Sequence, residues 1–386
     1  MGTDILRAPL TGVGRYTYEL CLELLKSPDI KSLEGFDFGK FHSVDERLKD
    51  IEAESVNNSQ ASAGRYDLRT SLAQSRIATR LFQVYATSVC GFLLRNKSDS
   101  LFHSPNFHLP PFPGNTVVTI HDLSHLLFPD YHPRARVDWM KRLVPAALER
   151  SSHIICVSES TKRGLTKYYE VDPEKISVTY LGVSDDFKPR HRETISPTLE
   201  AYGLSPDRYL LCVSTIEPRK NIEALLDAYL RLSRSLRSEY PLILVGGFGW
   251  HCESLKSGIG RLSQEGIKHL GFVPQRDLPA LYNGARCLVY PSPYEGFGLP
   301  VLEAQASGTA VIASDISSIP EVASAEALLI RPGDGQALQE ALDRAIEDTD
   351  WLENCSLAGI AKASGFTWSE CARATENVYK RVVQSL

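Results

Sequence analysis

Short apolar runs separated by amphipathic stretches recur almost from end to end of the chain, and that alternation restricts the fold more than any other feature. Strand-like runs are expected at 100–104, 116–121, 153–158 and 176–181, then at 209–215, 242–246, 267–273, 287–291, 310–314 and 327–330. Runs apolar at consecutive positions suit strands buried on both faces, and the helical patterns between them supply the covering layers. The expected class is therefore α/β, with parallel sheets wound by helices. A chain of 386 residues is too long for one hydrophobic core, so two domains of roughly 180 residues each are expected. The stretch D-D-F-K-P-R-H-R-E-T-I-S-P-T, polar and proline-containing, is the best separator. This predicts two doubly wound, Rossmann-like domains facing each other across a cleft, at 1–187 and 207–365 with a linker at 188–206. Ligands in such sheets sit at the carboxyl ends of the strands.

Composition narrows the function. A net charge of -5 excludes a broadly basic nucleic-acid binder. Residues 1–185 hold 22 Lys plus Arg against 22 Asp plus Glu, so the C-terminal half carries the whole negative balance. The eight cysteines form no C-x-x-C pair, and several lie in apolar strand-like runs, as reduced thiols do in a cytoplasmic protein. No signal-peptide core opens the sequence, and no apolar run approaches the roughly 20 residues needed to span a bilayer. Any membrane contact is expected to be peripheral. The segment 65–97 has six basic residues and one acid, with apolar residues at 81, 85, 89 and 92 on one helical face. It reads as a core helix with solvated edges, or alternatively as a basic amphipathic surface for anionic lipid.

The most informative stretch is Y-E-G-F-G-L-P-V-L-E at 294–303. It follows the strand C-L-V-Y-P-S, and Pro300 suits the first turn of a helix that should stop at Gly308. Glu303 then falls in the first helical turn, where an acid favours the helix dipole. Glu295, in the preceding loop, has no such explanation. Carboxylates at this place accept paired hydrogen bonds from vicinal sugar or ribose hydroxyls, and loop amides from Gly296 to Leu299 suit phosphate oxygens. Arg219 and Lys220, in I-E-P-R-K-N, stand just ahead of another helix start, where cations are unfavourable. They form either a solvated turn or an anion site fit for a diphosphate. G-G-F-G at 246–249 is either a turn or a second approach to the same phosphates.

The first half offers weaker motifs. T-G-V-G-R-Y (11–16) opens a helix-like stretch but lacks the spacing of a dinucleotide fingerprint. Only ten residues precede it. Either the central first strand is missing or Thr3 to Leu6 stand in for it. H-D-x-x-H (His121, Asp122, His125) has metallohydrolase spacing, but His121 ends a strand-like run rather than sharing a helical face with His125. It reads otherwise as a satisfied histidine at a strand terminus. Asp348-Thr349-Asp350 imitates a metal-binding D-x-D on what reads as a solvated helix face.

Taken together these residues resemble family 4 of the retaining glycosyltransferases, of GT-B fold, and the likeness spans nearly the whole chain. Its most specific part is the E-x7-E motif, Glu295 to Glu303. The resemblance implies that Glu295, with Gly296 and Phe297, contacts the donor sugar and that Glu303 contacts the ribose, with Val273 beside the base. It implies that Arg219, Lys220, Gly298 and Leu299 hold the diphosphate, with Gly12 and Gly14 closing over it. His121 matches the family's active-site histidine, and 366–386 looks like its C-terminal helix returning toward the first domain. The chain looks most similar to bacterial mannosyltransferases and rhamnosyltransferases of surface-polysaccharide (O-antigen) synthesis. Such enzymes use GDP-sugars and glycan or undecaprenyl-linked acceptors; with Arg219, Lys220 and helix-end amides to stabilise the diphosphate, neither a metal nor another cofactor is expected. The implied localisation is cytoplasmic, with peripheral contact at the inner membrane face left open. The alternatives are a nucleotide-sugar epimerase or hydrolase on the same fold and, from another class, a metallohydrolase or a non-catalytic assembly subunit.

Overall fold

The computed structural model describes residues 1–8, 10, 12–37, 39–57 and 88–384. They divide into two compact units, Met1–Gly182 with Trp368–Leu386, and Val183–Thr367.

In unit 1, strands β1 (Glu34–Asp37) and β2 (Lys40–Ser43) form an antiparallel hairpin, while β3 (Leu101–Ser104), β4 (Asn115–Ile120), β5 (His153–Cys156) and β6 (Ile176–Val178) form a parallel sheet in that order. The N-terminal residues join the two. Gly2 bridges Phe36 in parallel, and its N–H donates to the His103 carbonyl at 2.8 Å. The place of a first strand is therefore held by Met1–Thr3 and not by Thr3–Leu6, because the chain turns at once, with the Leu6 N–H bonded to the Thr3 carbonyl. Helices α1 (Gly12–Lys26), α2 (Val44–Asn57), α3 (Arg134–Arg150) and α4 (Glu159–Tyr169) belong to this unit. So does the C-terminal helix Trp368–Gln384, whose Val378 and Val382 pack on Val117 of β4 and Ile155 of β5.

A buried polar chain crosses unit 1. Tyr16 OH and Thr119 Oγ1 are 3.1 Å apart, Thr119 Oγ1 and His103 Nε2 2.8 Å, and His103 Nδ1 and Tyr379 OH 2.6 Å. Burial pushes His103 down to about 3, and His108, His125 and His153 each to about 4. These rings are neutral in the fold, whereas an unfolded histidine takes a proton near pH 6.5. Their contribution to stability is complete above about 6.5 and lost as pH falls from there towards 4. Acidification from pH 7 to 4.5 is therefore expected to lower the melting temperature and to open the amides of unit 1 first, as read by hydrogen exchange. Unit 1 amides protected equally at both pH values would contradict this.

Unit 2 holds a six-stranded sheet of parallel pairings in the order β12-β11-β10-β7-β8-β9, from β7 (Leu210–Val213), β8 (Leu242–Val245), β9 (Ile267–Gly271), β10 (Cys287–Tyr290), β11 (Ala310–Ser314) and β12 (Leu328–Ile330). Its longer helices are α5 (Arg192–Ala201), α6 (Ile222–Leu230), α7 (Leu299–Ala306), α8 (Gly335–Glu347) and α9 (Thr349–Ala363). Alternation within the strands explains the double cover. Leu210, Leu242, Cys287 and Ala310 join one core with Leu225 and Leu226 of α6 and Leu338 and Leu342 of α8. The intervening Leu211, Ile243, Leu288 and Val311 are buried as well, so both faces are covered. Each such leucine or isoleucine stabilises the unit by about 1.5–3 kcal/mol.

One expectation on layout is corrected. The stretch 188–206 is not a linker. It contains α5, which buries Ile195 and Leu199 within unit 2, and the Arg190 N–H donates to Asn283 Oδ1 at 2.7 Å. Its polarity belongs to the exposed side of an amphipathic helix. The units instead part between Gly182 and Val183 and between Thr367 and Trp368. Asp348-Thr349-Asp350 is solvated as expected, with Thr349 and Asp350 exposed, and it starts a helix, with Asp348 Oδ1 accepting from the Trp351 N–H at 2.9 Å.

Candidate active site

The loops at the carboxyl ends of adjacent strands β7 and β10 build the centre of unit 2. After β7 the chain runs through Ser214–Glu217 into a single 3-10 turn, Pro218–Lys220, and reaches α6 through Asn221, a non-glycine residue at φ +55°. The Asn221 amide donates to the Pro291 carbonyl at 3.3 Å, tying this turn to the loop after β10. That loop is pinned from within and from the segment after β11. Ser292 Oγ donates to the Arg219 and Tyr294 carbonyls, the Glu295 N–H to Ser317 Oγ at 3.0 Å, and Ser318 Oγ to the carbonyls of Glu295 and Phe297.

This scaffold brings Arg219, Lys220 and Glu295 together. Lys220 Nζ bonds to Glu295 Oε1, and Arg219 lies 3.6 Å from Glu295 Oε2 while also binding Glu217 at 2.8 Å and the Tyr294 carbonyl at 3.1 Å. Lys220 and Glu295 are only 9% and 8% exposed, so solvent screens the pair little. Burial alone would raise the Glu295 pKa, but Lys220 and Arg219 outweigh it and hold the carboxyl below its ordinary value. Burial lowers Lys220 against the attraction of Glu295. The cluster is an anion cradle occupied by a carboxylate of the chain itself.

Glu303 lies apart from that cluster. Helix α7 begins at Leu299, so Glu303 stands in its second turn, and no acid occupies the first. The dipole therefore does not explain it. Its Oε2 accepts from the buried Tyr282 hydroxyl at 2.8 Å. Gly298, ahead of α7, has φ +106°, and a Cβ there would lie 2.7 Å from Ile319 Cδ1. Leu299 is half-buried, Gly296 likewise, and Phe297 is buried against Phe366. Val273, buried, follows β9. The glycines of 246–249 lie along the Ser214–Glu217 loop: Ile216 bridges Phe248, and the Gly249 N–H donates to the Ile216 carbonyl at 2.8 Å.

In unit 1, His121 follows β4 directly. Its Nε2 donates to the Pro105 carbonyl at 2.8 Å and its ring meets Tyr16 edge-on at 4.9 Å. With burial lowering its pKa, the ring is neutral and Nδ1 carries the lone pair. His125 turns instead to the Tyr169 hydroxyl at 3.0 Å. The two histidines of H-D-x-x-H have separate partners, and among the described residues no group of three His, Cys, Asp or Glu could hold a metal ion. Gly12 and Gly14 occupy the first turn of α1. A Cβ on Gly14 would lie 3.2 Å from the Ile5 carbonyl.

Most of 65–97 lies outside the described residues. Of its four apolar face positions, Val89 and Phe92 are described, and both are exposed, unlike a core helix. No helix among the described residues is long and apolar enough to cross a membrane. The site residues that the sequence reading did not single out are Glu217, Tyr290, Ser292, Ser317 and Ser318. Tyr290, Ser292, Ser317 and Ser318 act through residues 22 to 73 positions away, which no local pattern marks, whereas Glu217 pairs with Arg219 two residues on.

Parallel sheets wound with helices, with Arg219 and Lys220 paired to Glu295 by the loops at the carboxyl ends of β7 and β10, are those of a GT-B protein. Solved structures agree on the fold: a glycosyltransferase from Rickettsia africae matches at TM-score 0.68 and 19% identity over 98% of this chain and 97% of its own. HepE from Anabaena, in complex with UDP and glucose, matches at TM-score 0.66 and 19% identity over 94% and 96%. Residues 200–362 match the model for glycosyl transferases group 1 and residues 91–187 that for glycosyltransferase family 4. O-antigen chain mannosyltransferase B of Escherichia coli is 36% identical over 380 residues, 98% of each chain. O-antigen chain mannosyltransferase RfbU of Salmonella typhimurium is 30% identical over 69% of this chain and 71% of its own. The chain belongs to this glycosyltransferase family.

Proposed function

We propose that the protein moves a mannosyl residue from GDP-mannose to a glycan or undecaprenyl-linked acceptor in O-antigen assembly. The observation that carries the reading is the buried Arg219–Lys220–Glu295 cluster; the 36% identity to a named O-antigen mannosyltransferase supports the sugar and pathway. Transfer requires a diphosphate stabilised as it leaves and a sugar held in place beside it. In this reading Arg219, Lys220 and the amides of Gly298 and Leu299 take the diphosphate, Glu295 with Gly296 and Phe297 the sugar hydroxyls, Glu303 the ribose, and Val273 borders the base. The roles that the family pattern assigns to His121, Gly12 and Gly14 belong to the same proposal, as does acceptor binding by unit 1.

The reaction proposed is retaining. The bond from sugar C1 to the phosphate oxygen breaks as the bond to the acceptor oxygen forms on the same face, and the acceptor proton passes to the leaving diphosphate. Two side-chain cations supply the charge for this without a metal. Cytoplasmic placement, with lipid contact through 65–97, completes the proposal; the exposed Val89 and Phe92 favour it at that segment's described end.

Thermal unfolding against GDP, UDP and ADP, with and without EDTA, tests the reading. A ligand at 100 times its Kd stabilises by about 2.7 kcal/mol, so GDP is expected to give a clear upward shift that EDTA leaves unchanged. Transfer assays with GDP-mannose and GDP-rhamnose then identify the sugar. No shift with any nucleotide would overturn the proposal, and donor consumption without acceptor would favour a hydrolase.

A further inference from the structure

Tyr290 closes a three-membered contact with the two residues at the centre of the cradle. Its hydroxyl lies 2.9 Å from Glu295 Oε1 and 3.1 Å from Lys220 Nζ, and Nζ in turn bonds to the same carboxylate oxygen. The ammonium also lies 5.4 Å from the centre of the Tyr290 ring. A phenol has one proton and two lone pairs, so this hydroxyl donates to the carboxylate while accepting from the ammonium. Phenylalanine makes neither bond.

The three groups differ in how firmly they are held. Tyr290 is the last residue of β10, an interior strand, and is 3% exposed. Lys220 ends a 3-10 turn and Glu295 sits in a loop. The charged and titratable groups facing Glu295 are Lys220 and Arg219 from the turn after β7 and Tyr290 from β10, with Glu217 reaching it through Arg219. Both cations that neutralise Glu295 are those proposed to take the donor's diphosphate. When they do, the carboxylate competes with phosphate oxygens for the same donors. It then needs another donor to stay ionised and oriented in a buried place.

Resting on the proposed donor site, we propose that Tyr290 is a positioning residue for sugar transfer. Its hydroxyl holds the Glu295 carboxylate in place and ionised once Lys220 and Arg219 turn to the diphosphate. The residue touches neither sugar nor phosphate in this scheme.

Tyr290→Phe tests it. The isosteric change keeps the strand packing, and a melting curve records that the fold is retained. Affinity for the nucleotide that stabilises the wild type, GDP in the expected case, should change by less than about threefold, because Lys220 and Arg219 remain. With GDP-mannose, kcat should fall roughly 10- to 100-fold with KM little changed. The acid limb of the kcat profile should move to higher pH, since Glu295 without its phenolic donor takes up a proton more readily. An unchanged kcat and acid limb would overturn the proposal. So would a loss of kcat matched by equal losses of GDP affinity and melting temperature with the acid limb unmoved, which is what a packing role alone produces. A wild-type protein that neither binds a nucleotide nor transfers sugar removes the donor site itself, and the proposal with it; the wild-type controls distinguish that result from a failure confined to Tyr290.

Discussion

Lys220→Ala is expected to reduce transfer by about 10²–10³-fold, the usual effect of removing one preorganised charge from a leaving-group site. The same change unfolds the protein more readily. Glu295 is buried, and without the ammonium it keeps the Arg219 cation at 3.6 Å and the Tyr290 hydroxyl at 2.9 Å. Breaking one side of a buried ion pair costs about 3–5 kcal/mol, and the retained arginine should hold the loss near the lower value. The two effects separate experimentally. Lys220→Ala combined with Glu295→Gln removes the unpaired charge and should recover much of the melting temperature while leaving transfer abolished. Steady-state rates and melting curves on the wild type and both variants decide it. Near-normal transfer by Lys220→Ala would remove the cluster from any catalytic account.

Gly246→Ala is expected to be among the most damaging single-methyl changes in the chain. Gly246 has φ +133°, a region closed to residues with a Cβ, and an added Cβ would fall 2.0 Å from the Ser214 carbonyl oxygen. That neighbour is backbone, so no rotamer change relieves the clash. The strained dihedral alone costs about 1–3 kcal/mol, and displacing the Ser214 loop raises the total to about 4 kcal/mol or more. The damage should reach function, because the same loop continues through Ile216 and Glu217 to Arg219, and Ile216 is bonded to the glycine segment. Gly247→Ala is the control: nothing lies within 4 Å of its Cβ position, so it should melt within about 0.5–1 kcal/mol of the wild type. Unfolding curves and nucleotide titrations on the two variants check both halves. Equal behaviour of the two would refute the close approach at Ser214.

The ten strand-like runs of the sequence all became strands, trimmed by a few residues, because a strand buried on both faces must be apolar at consecutive positions and such a run is readable without its neighbours. The hairpin β1–β2 was not readable. Its residues, E-G-F-D and K-F-H-S, are mostly exposed or half-buried and carry no such run. The same local logic misread 188–206, where an amphipathic helix with Pro197 inside it resembles a linker until Ile195 and Leu199 find something to pack on. Glu295 and Glu303 show the division most plainly. The sequence by itself determined that two carboxylates bracket a glycine loop and a proline-led helix start, since turn and helix chemistry act over a few residues. That Glu295 faces Lys220 and Tyr290 while Glu303 faces Tyr282 was decided only by tertiary structure. These contacts span from 5 to 75 residues of sequence; the longest exist because β7 and β10 lie side by side, an order of strands that no local periodicity encodes.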